Sequence, residues 1–397
     1  MFRLLIKELR VSPLRTFLTG FSMFVGIVSM VAAVLVGTLG RDALLSINAQ
    51  IFGYTPICSV SISQMQMKDY EKAEVFLGKL EKFPGEQAIE ASIKSEMQFA
   101  SLNKLDDMKE KKKSLYQKLI FVDTVFTTSA YSNIYNMPLY EGRWLLDSRE
   151  TAGLELVVNK AAAQIFTESF VVGSVKETMT LIPFYKAGIV NDGKDWPVIY
   201  VNIQPLLCHM PEIFSTDNLT VLWHDEEINL KKIQSCMNDM LYDTVKGNIT
   251  NISAMDSDGR YDNVIDILQI GLSISALLLL FVSILGQINI GLASLEQRTH
   301  ELLIRRALGA TKMSISMQVL GAQFILSVLV CVVSLITAVL LVNAGGLLLP
   351  KDSPIAFPGF PLRAAFIAII VSLLTALLGG AIPAVKASRL EPALVLR

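Results

Sequence analysis

Four long stretches of this sequence contain no Asp, Glu, Lys, Arg or His, and they constrain its fold more than any other feature. They are residues 17–40, 267–295, 313–350 and 364–385. Each is longer than the roughly 18–20 apolar residues that cross the hydrocarbon core of a bilayer as a helix. We therefore predict four transmembrane helices. Because the third run is too long for one span, we expect the glycines of residues 343–346 to form a turn outside the membrane.

The first run is predicted to be a permanent anchor rather than a secretory signal peptide. Its apolar core is long, and Arg41 and Asp42 follow it in place of a small-residue cleavage site. Apolar residues make up 52% of the chain and charged residues 18%. A helical membrane bundle alone would carry fewer charges, so this composition also indicates a sizeable soluble part. The net charge of -1 gives no indication of nucleic-acid binding.

Lys and Arg residues are concentrated on one side of the predicted spans, which sets the orientation. That side carries Arg3, Lys7, Arg10, Arg15, Arg298, Arg305, Arg306, Lys312, Lys386, Arg389 and Arg397. The short loop on the opposite side has only Lys351 and Arg363. We expect both termini and the 296–312 loop to be cytoplasmic, and the segment between the first two spans to lie outside.

The long segment between the first two spans is predicted to be an α+β domain. Strand patterns occur at 58–63, 89–99, 119–125, 155–158, 180–190, 198–203, 219–223 and 248–252, and helix patterns at 159–166 and 226–242. A further helix is predicted between a cap at Asp69 and a stop at 83–85, with Ala73, Phe76, Leu77 and Leu80 on one face. This alternation predicts two subdomains, one built from the two ends of the segment and one from residues 131–213. Its cysteines, Cys58, Cys208 and Cys236, would form one disulfide or serve as small buried apolar residues.

The sequence has no phosphate-binding loop, no metal-ligand spacing and no catalytic constellation. We therefore expect no enzyme activity and no cofactor in this chain. The predicted spans also lack buried Asp, Glu, His, Lys and Arg residues, which argues against an ion path or a proton relay. Gly271 with Ser275, and Gly379 with Gly380, are predicted to mark close helix contacts.

Three blocks together resemble one family, the MacB/FtsX-type ABC permeases. They are the amphipathic stretch 4–18, the charged segment from Glu296 to Ala310 and the C-terminal stretch 383–397. The external fragments 138–143, 157–159 and 172–173 are similar to the periplasmic core of the same family. The resemblance extends along the whole chain. It implies an amphipathic entry helix and first span in residues 1–41, a periplasmic MacB-like domain in 42–263 and an FtsX-like permease domain in 264–397.

The resemblance implies a mechanotransmission permease that forms a dimer, either with a second copy or with another permease subunit. Each permease would bind an ATP-binding cassette subunit, which would hold ATP and Mg. We expect that ATPase on a separate polypeptide, because the sequence begins directly at the permease part. The implied location is the inner membrane of a bacterium, with several spans and both termini in the cytoplasm.

The segment between the second and third spans is the implied ATPase-coupling site. Its residues are Glu296, Arg298, Glu301, Leu302, Arg305, Arg306, Leu308 and Gly309. Glu301 and Arg305 are spaced for a salt bridge, and Gly309 for a helix end. The leucines, with Leu303, would contact an apolar ATPase groove, and Arg298 and Arg306 its acidic groups. The alternative is an amphipathic helix lying on anionic lipid. In the entry helix, Lys7, Arg10 and Arg15 would either couple or anchor to headgroups.

The leading functional prediction is export or extrusion of a drug, peptide, toxin or lipid-linked cargo. Related alternatives are lipoprotein release to a carrier and an FtsX-like regulator that recruits a cell-wall hydrolase. A sensor or adhesion receptor without an ATPase is a further class, and the coupling-like segment argues against it. An external domain of about 220 residues is large for a hydrolase recruiter and favours the exporter, with a periplasmic adaptor as a further partner.

Overall fold

The computed structural model describes residues 13–65, 70–80, 85–93, 96–106, 108, 112–146, 153–175, 180–210, 214–225, 228–255, 262–355 and 359–389. The helices are α1 (Pro13–Phe52), α2 (Tyr70–Leu80), α3 (Lys112–Lys118), α4 (Tyr131–Ile134), α5 (Lys160–Ala163), α6 (Ile203–His209), α7 (Leu230–Asp243), α8 (Asp262–Ala307), α9 (Lys312–Leu348) and α10 (Leu362–Ser388). The strands are β1 (Ile57–Ser63), β2 (Glu86–Ile93), β3 (Met97–Leu102), β4 (Ile120–Phe121), β5 (Asp123–Thr127), β6 (Leu139–Gly142), β7 (Glu155–Asn159), β8 (Phe170–Val175), β9 (Thr180–Val190), β10 (Val198–Asn202), β11 (Phe214–His224) and β12 (Asn248–Met255).

The chain divides into two compact units. The helical unit comprises Met1–Arg41, Asp262–Leu349 and Phe357–Arg397, and the sheet unit comprises Asp42–Tyr261 and Pro350–Ala356. Four helices in the described residues are long and apolar enough to cross a membrane: Thr16–Phe52, Asn263–Ala307, Lys312–Leu348 and Leu362–Ser388. The fold class is therefore that of a four-helix membrane protein with a large mixed α/β domain between its first and second spans.

The helical unit has an apolar core of small and branched side chains. Its buried members are Met23, Ile27, Val31, Val330, Cys331, Ala338, Ala364, Ala368 and Val371. Many other large apolar side chains of these helices are exposed, as expected for surfaces that face lipid.

The predicted turn in the third run is wrong. Helix α9 continues without interruption through Gly345 and Gly346 to Leu348, and the chain leaves the helix only after them. A glycine costs only about 1 kcal/mol in a helix interior. The leucine-rich residues on both sides outweigh that cost, and lipid further favours a backbone whose hydrogen bonds are made internally.

The sheet unit is built on a 12-stranded mixed sheet with the order β12-β1-β11-β2-β5-β10-β7-β9-β8-β3-β4, and β6 pairs with β9. The pairs β5–β10 and β7–β9 are parallel, and the other pairs are antiparallel. The strands that come from the first and last parts of the segment between the first two spans lie together at one end of the strand order. The strands from residues 139–202 lie on the other side of β5 in that order. The whole order is nonetheless hydrogen-bonded continuously.

The single strand predicted for 89–99 is wrong, since the structure forms β2 and β3 there. β2 pairs with β11 and β5, whereas β3 pairs with β8 and β4, at the far end of the order. Alternation of apolar and polar residues continues through the break, so the pattern alone does not reveal it. The strand predicted at 180–190 is observed as β9 with those bounds.

Helix α2 buries the residues that its periodicity selected. Ala73, Phe76, Leu77 and Leu80 all lie in the main core of the sheet unit, together with Cys58. Cys58 and Cys236 are free thiols, so Cys58 serves as a small buried apolar residue. The side chain of Cys208 lies outside the described part of the structure.

Candidate functional site

The charged segment of the helical unit has two parts. They are the end of helix α8, which we predict to be cytoplasmic, and the turn that follows it. Residues 296–307 continue the transmembrane helix, which spans 46 residues from Asp262 to Ala307. The segment is therefore not a separate short helix in a loop, as the sequence suggested. Gly309 has a φ of +101°, and the amide of Ala310 donates to the Arg305 carbonyl at 3.0 Å. A glycine in this left-handed conformation ends a helix by satisfying its last carbonyls.

Helix α9 starts immediately after this turn. Thr311 is its N-cap residue, and its side chain accepts a hydrogen bond from the Ser314 amide at 3.2 Å. A threonine oxygen at this position satisfies one of the amides that the first helical turn leaves free. The sequence thus dictates a tight hairpin between α8 and α9, with both helix ends capped locally.

Arg305 holds this hairpin together. Its Nη2 lies 2.7 Å from Glu301 Oε1, one turn earlier on α8, and its Nη1 donates to Gln318 Oε1 on α9 at 3.0 Å. The i to i+4 pair was expected, and the link to Gln318 was not, because sequence spacing does not show which residue of the next helix is opposite. Arg305 therefore acts first as an internal brace between the two helices.

The base of the hairpin is a small apolar cluster. Leu302 is buried there with Leu295, Ile315 and Ala387, and Leu303 is also buried, at 4% exposed. In this structure both side chains lie in the interior of their own unit rather than on its surface, and their contact with a partner stays a prediction. Positions 295 and 302 are seven residues apart and so share the helix face that packs against α9 and α10.

The tip of the hairpin carries the exposed apolar side chains. Leu308 is 82% exposed, Met313 67% and Ile304 45%. Of the predicted leucines, Leu308 alone lies on this surface. Lys312, which is also exposed, flanks these side chains. An apolar patch rimmed by charge is typical of a surface that contacts another protein.

Two polar contacts join the hairpin to the end of α10. Lys386 Nζ lies 3.7 Å from Glu296 Oε1, and Arg306 Nη1 donates to the Ser388 carbonyl at 3.4 Å. Both side chains of the Glu296 pair are largely exposed, so that pair contributes little to stability. Arg306 occupies the position of a cation at a helix C-terminus, which the helix dipole favours. Arg306 is thus engaged within its own chain.

Arg298 lines a cavity of about 140 Å³ between α1, α8 and α9. Its other polar lining residues are Thr16, Thr19, Gln287, Ser294, Gln318 and Gln323. Arg298 therefore faces the interior of the helical unit as well as its end. Lys7 and Arg10 lie outside the described residues, as does the C-terminal stretch after Arg389. Arg15 belongs to α1, but its side chain is likewise outside the description.

A chain of polar side chains crosses the interior of the helical unit, and the sequence alone did not assemble it. Ser283 Oγ donates to the Ser22 carbonyl at 2.7 Å, which joins α8 to α1. Gln323 Nε2 donates to Gln287 Oε1 at 2.8 Å, which joins α9 to α8. Such bonds between membrane helices each contribute about 0.6 kcal/mol on average. They fix the rotation of each helix about its axis more than they add stability.

The same interior is completed by a serine pair and by close helix contacts. The hydroxyl oxygens of Ser327 on α9 and Ser372 on α10 are 2.6 Å apart. Gly379 on α10 leaves the space that the Gln287 side chain fills, since a Cβ at Gly379 would lie 2.5 Å from Gln287 Oε1. The predicted Gly379 contact is thus observed. At Gly271 no contact within the chain is observed, since a Cβ built there would meet nothing within 4 Å beyond its own stretch of helix, and a contact across a dimer stays a prediction.

Among the residues that the structure describes, no group of three or more His, Cys, Asp or Glu side chains could hold a metal ion. A capped and braced hairpin presents an apolar tip, and hydrogen bonds tie the helices behind it into one bundle.

The C-terminal part of the chain also matches a known protein family. Residues 273–392 match the family model described as FtsX-like permease C-terminal. The chain is 28% identical over 277 residues to the pyoverdine export ATP-binding/permease protein PvdT of Pseudomonas syringae pv. syringae, which covers 66% of this chain and 41% of that protein. It is 37% identical over 121 residues to the macrolide export ATP-binding/permease protein MacB of Sodalis glossinidius, covering 30% of this chain and 18% of the relative.

The chain thus spans less than half the length of these relatives. One solved structure, the periplasmic region of MacB from Actinobacillus actinomycetemcomitans, aligns with 53% of this chain and 92% of its own at 13% identity and a TM-score of 0.34.

Proposed function

We propose that this chain is an ABC transporter permease of the MacB/FtsX type, and that it converts ATP hydrolysis by an ATP-binding cassette subunit into movement of its sheet unit; the match of residues 273–392 to the FtsX-like permease model and the likeness to MacB support this. The exposed apolar tip of the α8–α9 hairpin carries this proposal. A transporter permease needs a surface that its ATPase can grip, and this tip is an unburied apolar surface on an otherwise braced hairpin.

The tip suits a groove on a protein better than a lipid surface. Leu308 and Met313 lie at the turn itself, while the braces behind them hold the backbone in one conformation. A short helical element with a few apolar anchors is a common way to fill a groove on a partner. A preorganised tip also loses little conformational entropy when it binds.

The charged residues of the segment take a different role in this proposal from the one that the sequence suggested. Arg305 and Arg306 already bind Gln318 and the Ser388 carbonyl within the helical unit. They transmit force from the tip to α9 and α10 rather than form the contact with the ATPase. Movement of the tip therefore reaches three helices at once.

The proposed cargo is a small compound exported to the outside, since the relatives PvdT and MacB are named for export of pyoverdine and of macrolides. The four spans carry no ionisable side chain other than Cys331 within their apolar runs. This favours mechanical transmission over a path for the cargo between the helices, because charged routes through membranes need such groups.

The test is co-purification of the chain with the ATP-binding cassette subunit encoded beside it. We expect Leu308→Asp to weaken this association by roughly ten- to hundredfold, since burying a leucine contributes about 1.5 to 3 kcal/mol. Tyr242→Asp is the matched control, because Tyr242 is 83% exposed on α7 of the sheet unit. Equal retention of the subunit by both variants would reject the tip as the coupling surface.

We also propose that the chain, a multi-pass membrane protein, has the tip and both termini in the cytoplasm of a bacterium and the sheet unit outside the inner membrane. The bias of Lys and Arg supports this orientation. Reporter fusions after Ser46 and after Lys312 should then report opposite sides. Activity of both fusions on the same side would overturn the orientation.

A further inference from the structure

The segment that connects α9 to α10 belongs to the sheet unit rather than to the helical unit. Pro350–Ala356 groups with Asp42–Tyr261. Asp352 is buried, its Oδ2 lies 2.7 Å from Lys160 Nζ, and its backbone carbonyl accepts a hydrogen bond from Asn191 Nδ2 at 2.8 Å. The hydrogen bond from Lys160 lowers the pKa of Asp352, so the pair stays charged at neutral pH.

The C-terminal end of α1 is fastened to the same part of the sheet unit. The Asn136 amide donates to the Ala49 carbonyl at 3.1 Å, and Gln50 Nε2 donates to the Asn191 carbonyl at 2.7 Å. Gln50 is 5% exposed. A buried carboxamide is costly unless it is hydrogen-bonded, so this contact fixes the helix end rather than merely lying against it.

Two asparagines each contact both segments. The Nδ2 group of Asn136 donates to the Ser46 carbonyl at 2.8 Å and to the Pro354 carbonyl at 2.9 Å. A carboxamide nitrogen has two hydrogens, and here one binds α1 while the other binds the α9–α10 loop. Asn191 repeats the arrangement, since its carbonyl binds Gln50 and its side chain binds Asp352.

The asparagines themselves stand on the sheet. Asn191 directly follows β9, and its amide donates to the Pro138 carbonyl at 2.9 Å. The next residue, Asp192, is 1% exposed and accepts a hydrogen bond from the Tyr200 hydroxyl of β10 at 2.8 Å. A displacement at Asn191 is therefore passed to the central strands, because packed interiors transmit strain instead of absorbing it.

We propose that Asn136 and Asn191 are positioning residues that receive movement from α1 and from the α9–α10 loop together and deliver it to the sheet. The proposal rests on the proposed function, and it adds the place where the movement enters the sheet unit. The plain alternative is that these bonds only complete the local fold. The two readings differ in what happens to the sheet when the ATPase turns over.

The test is hydrogen exchange on the full chain in lipid nanodiscs, with Asn136→Ala compared with Asn133→Ala. Asn133 lies on α4, three residues before Asn136, and its Nδ2 donates to Glu86 Oε2 at 3.0 Å rather than to either segment. We expect Asn136→Ala to raise exchange in both 42–52 and 350–355 by roughly fivefold, since each segment loses one hydrogen bond of about 1 kcal/mol. Asn133→Ala should change neither segment.

The second arm adds the ATP-binding cassette subunit with Mg-ATP and follows exchange in β9 and β10. Wild type and Asn133→Ala should show an ATP-dependent change there, and Asn136→Ala should lose it while still binding the subunit. An undiminished change in Asn136→Ala, or release of one segment alone in the first arm, overturns the proposal. Failure of wild type to bind the subunit overturns the proposed function instead, and with it the transmission. Binding without any change in the wild-type sheet overturns the transmission alone.

Discussion

Gly379→Ala tests how tightly the helices behind the coupling tip are packed. The added Cβ would lie 2.5 Å from Gln287 Oε1 and 3.1 Å from the Cβ and Cδ of the same side chain. Rotating the end of the glutamine does not relieve the clash with its Cβ, so α8 and α10 must separate slightly. Gln287 Oε1 is also the acceptor for Gln323, and the shift weakens that bond.

The expected magnitude follows from three contributions. Overpacking of a filled interior costs about 1 to 3 kcal/mol, and a weakened bond between membrane helices costs about 0.6 kcal/mol. Replacing glycine by alanine in a helix contributes about 1 kcal/mol in the other direction. We therefore expect Gly379→Ala to lower the free energy of unfolding by about 0.5 to 2.5 kcal/mol.

The matched control is Gly271→Ala, since no atom lies within 4 Å of a Cβ built at that position. It keeps the helix contribution without the clash, so it should be neutral or stabilising by up to about 1 kcal/mol. Both are measured by denaturant unfolding of the purified chain in detergent. In a Gln287→Ala background, the effect of Gly379→Ala should shrink. Equal effects of the two glycine substitutions, or an unchanged effect in that background, would refute the packing argument.

Three further substitutions test the interior of each unit. Burial raises the pKa of Glu90, so the ionised form of this side chain destabilises the fold as pH rises through that pKa. Glu90→Gln should therefore raise the melting temperature near pH 7 and not near pH 4. An equal change in melting temperature at both pH values would contradict this. Leu303→Ala in the hairpin base should cost about 2 to 4 kcal/mol in unfolding measurements, and a loss like that of an exposed leucine would contradict its burial. Asn159 accepts hydrogen bonds from the Ala162 and Val198 amides. Asn159→Ala should lower the free energy of unfolding by about 2 to 4 kcal/mol, more than Asn229→Ala, which removes an exposed helix cap. A larger loss for Asn229→Ala than for Asn159→Ala would contradict this.

The sequence predicted the features that depend on local periodicity. Four charge-free runs predicted the four long helices, and Thr180–Val190 was predicted with its observed bounds. The face of α2 was also predicted, because apolar residues at helical spacing need a core to bury them. Each of these signals lies within a few consecutive residues.

The features that were missed depend on contacts between distant residues. Residues 89–99 alternate like one strand, but β2 and β3 find different neighbours in the sheet. Leu302 resembles part of a docking face in the sequence, but it packs with Ile315 of α9 and Ala387 of α10. The brace from Arg305 to Gln318 and the branches at Asn136 have no sequence signature, since each joins polar groups that only the fold brings together.

Helix α8 runs through 46 residues without a proline, from Asp262 to Ala307. Successive residues of a helix are about 100° apart around its axis. An insertion of one residue in its middle would therefore swing the coupling tip about a quarter of a turn or more away from its partner, without touching the tip itself. Lengthening by seven residues keeps the direction within about 20°. The proposed coupling surface therefore depends on the number of residues in this helix as much as on the side chains at its end.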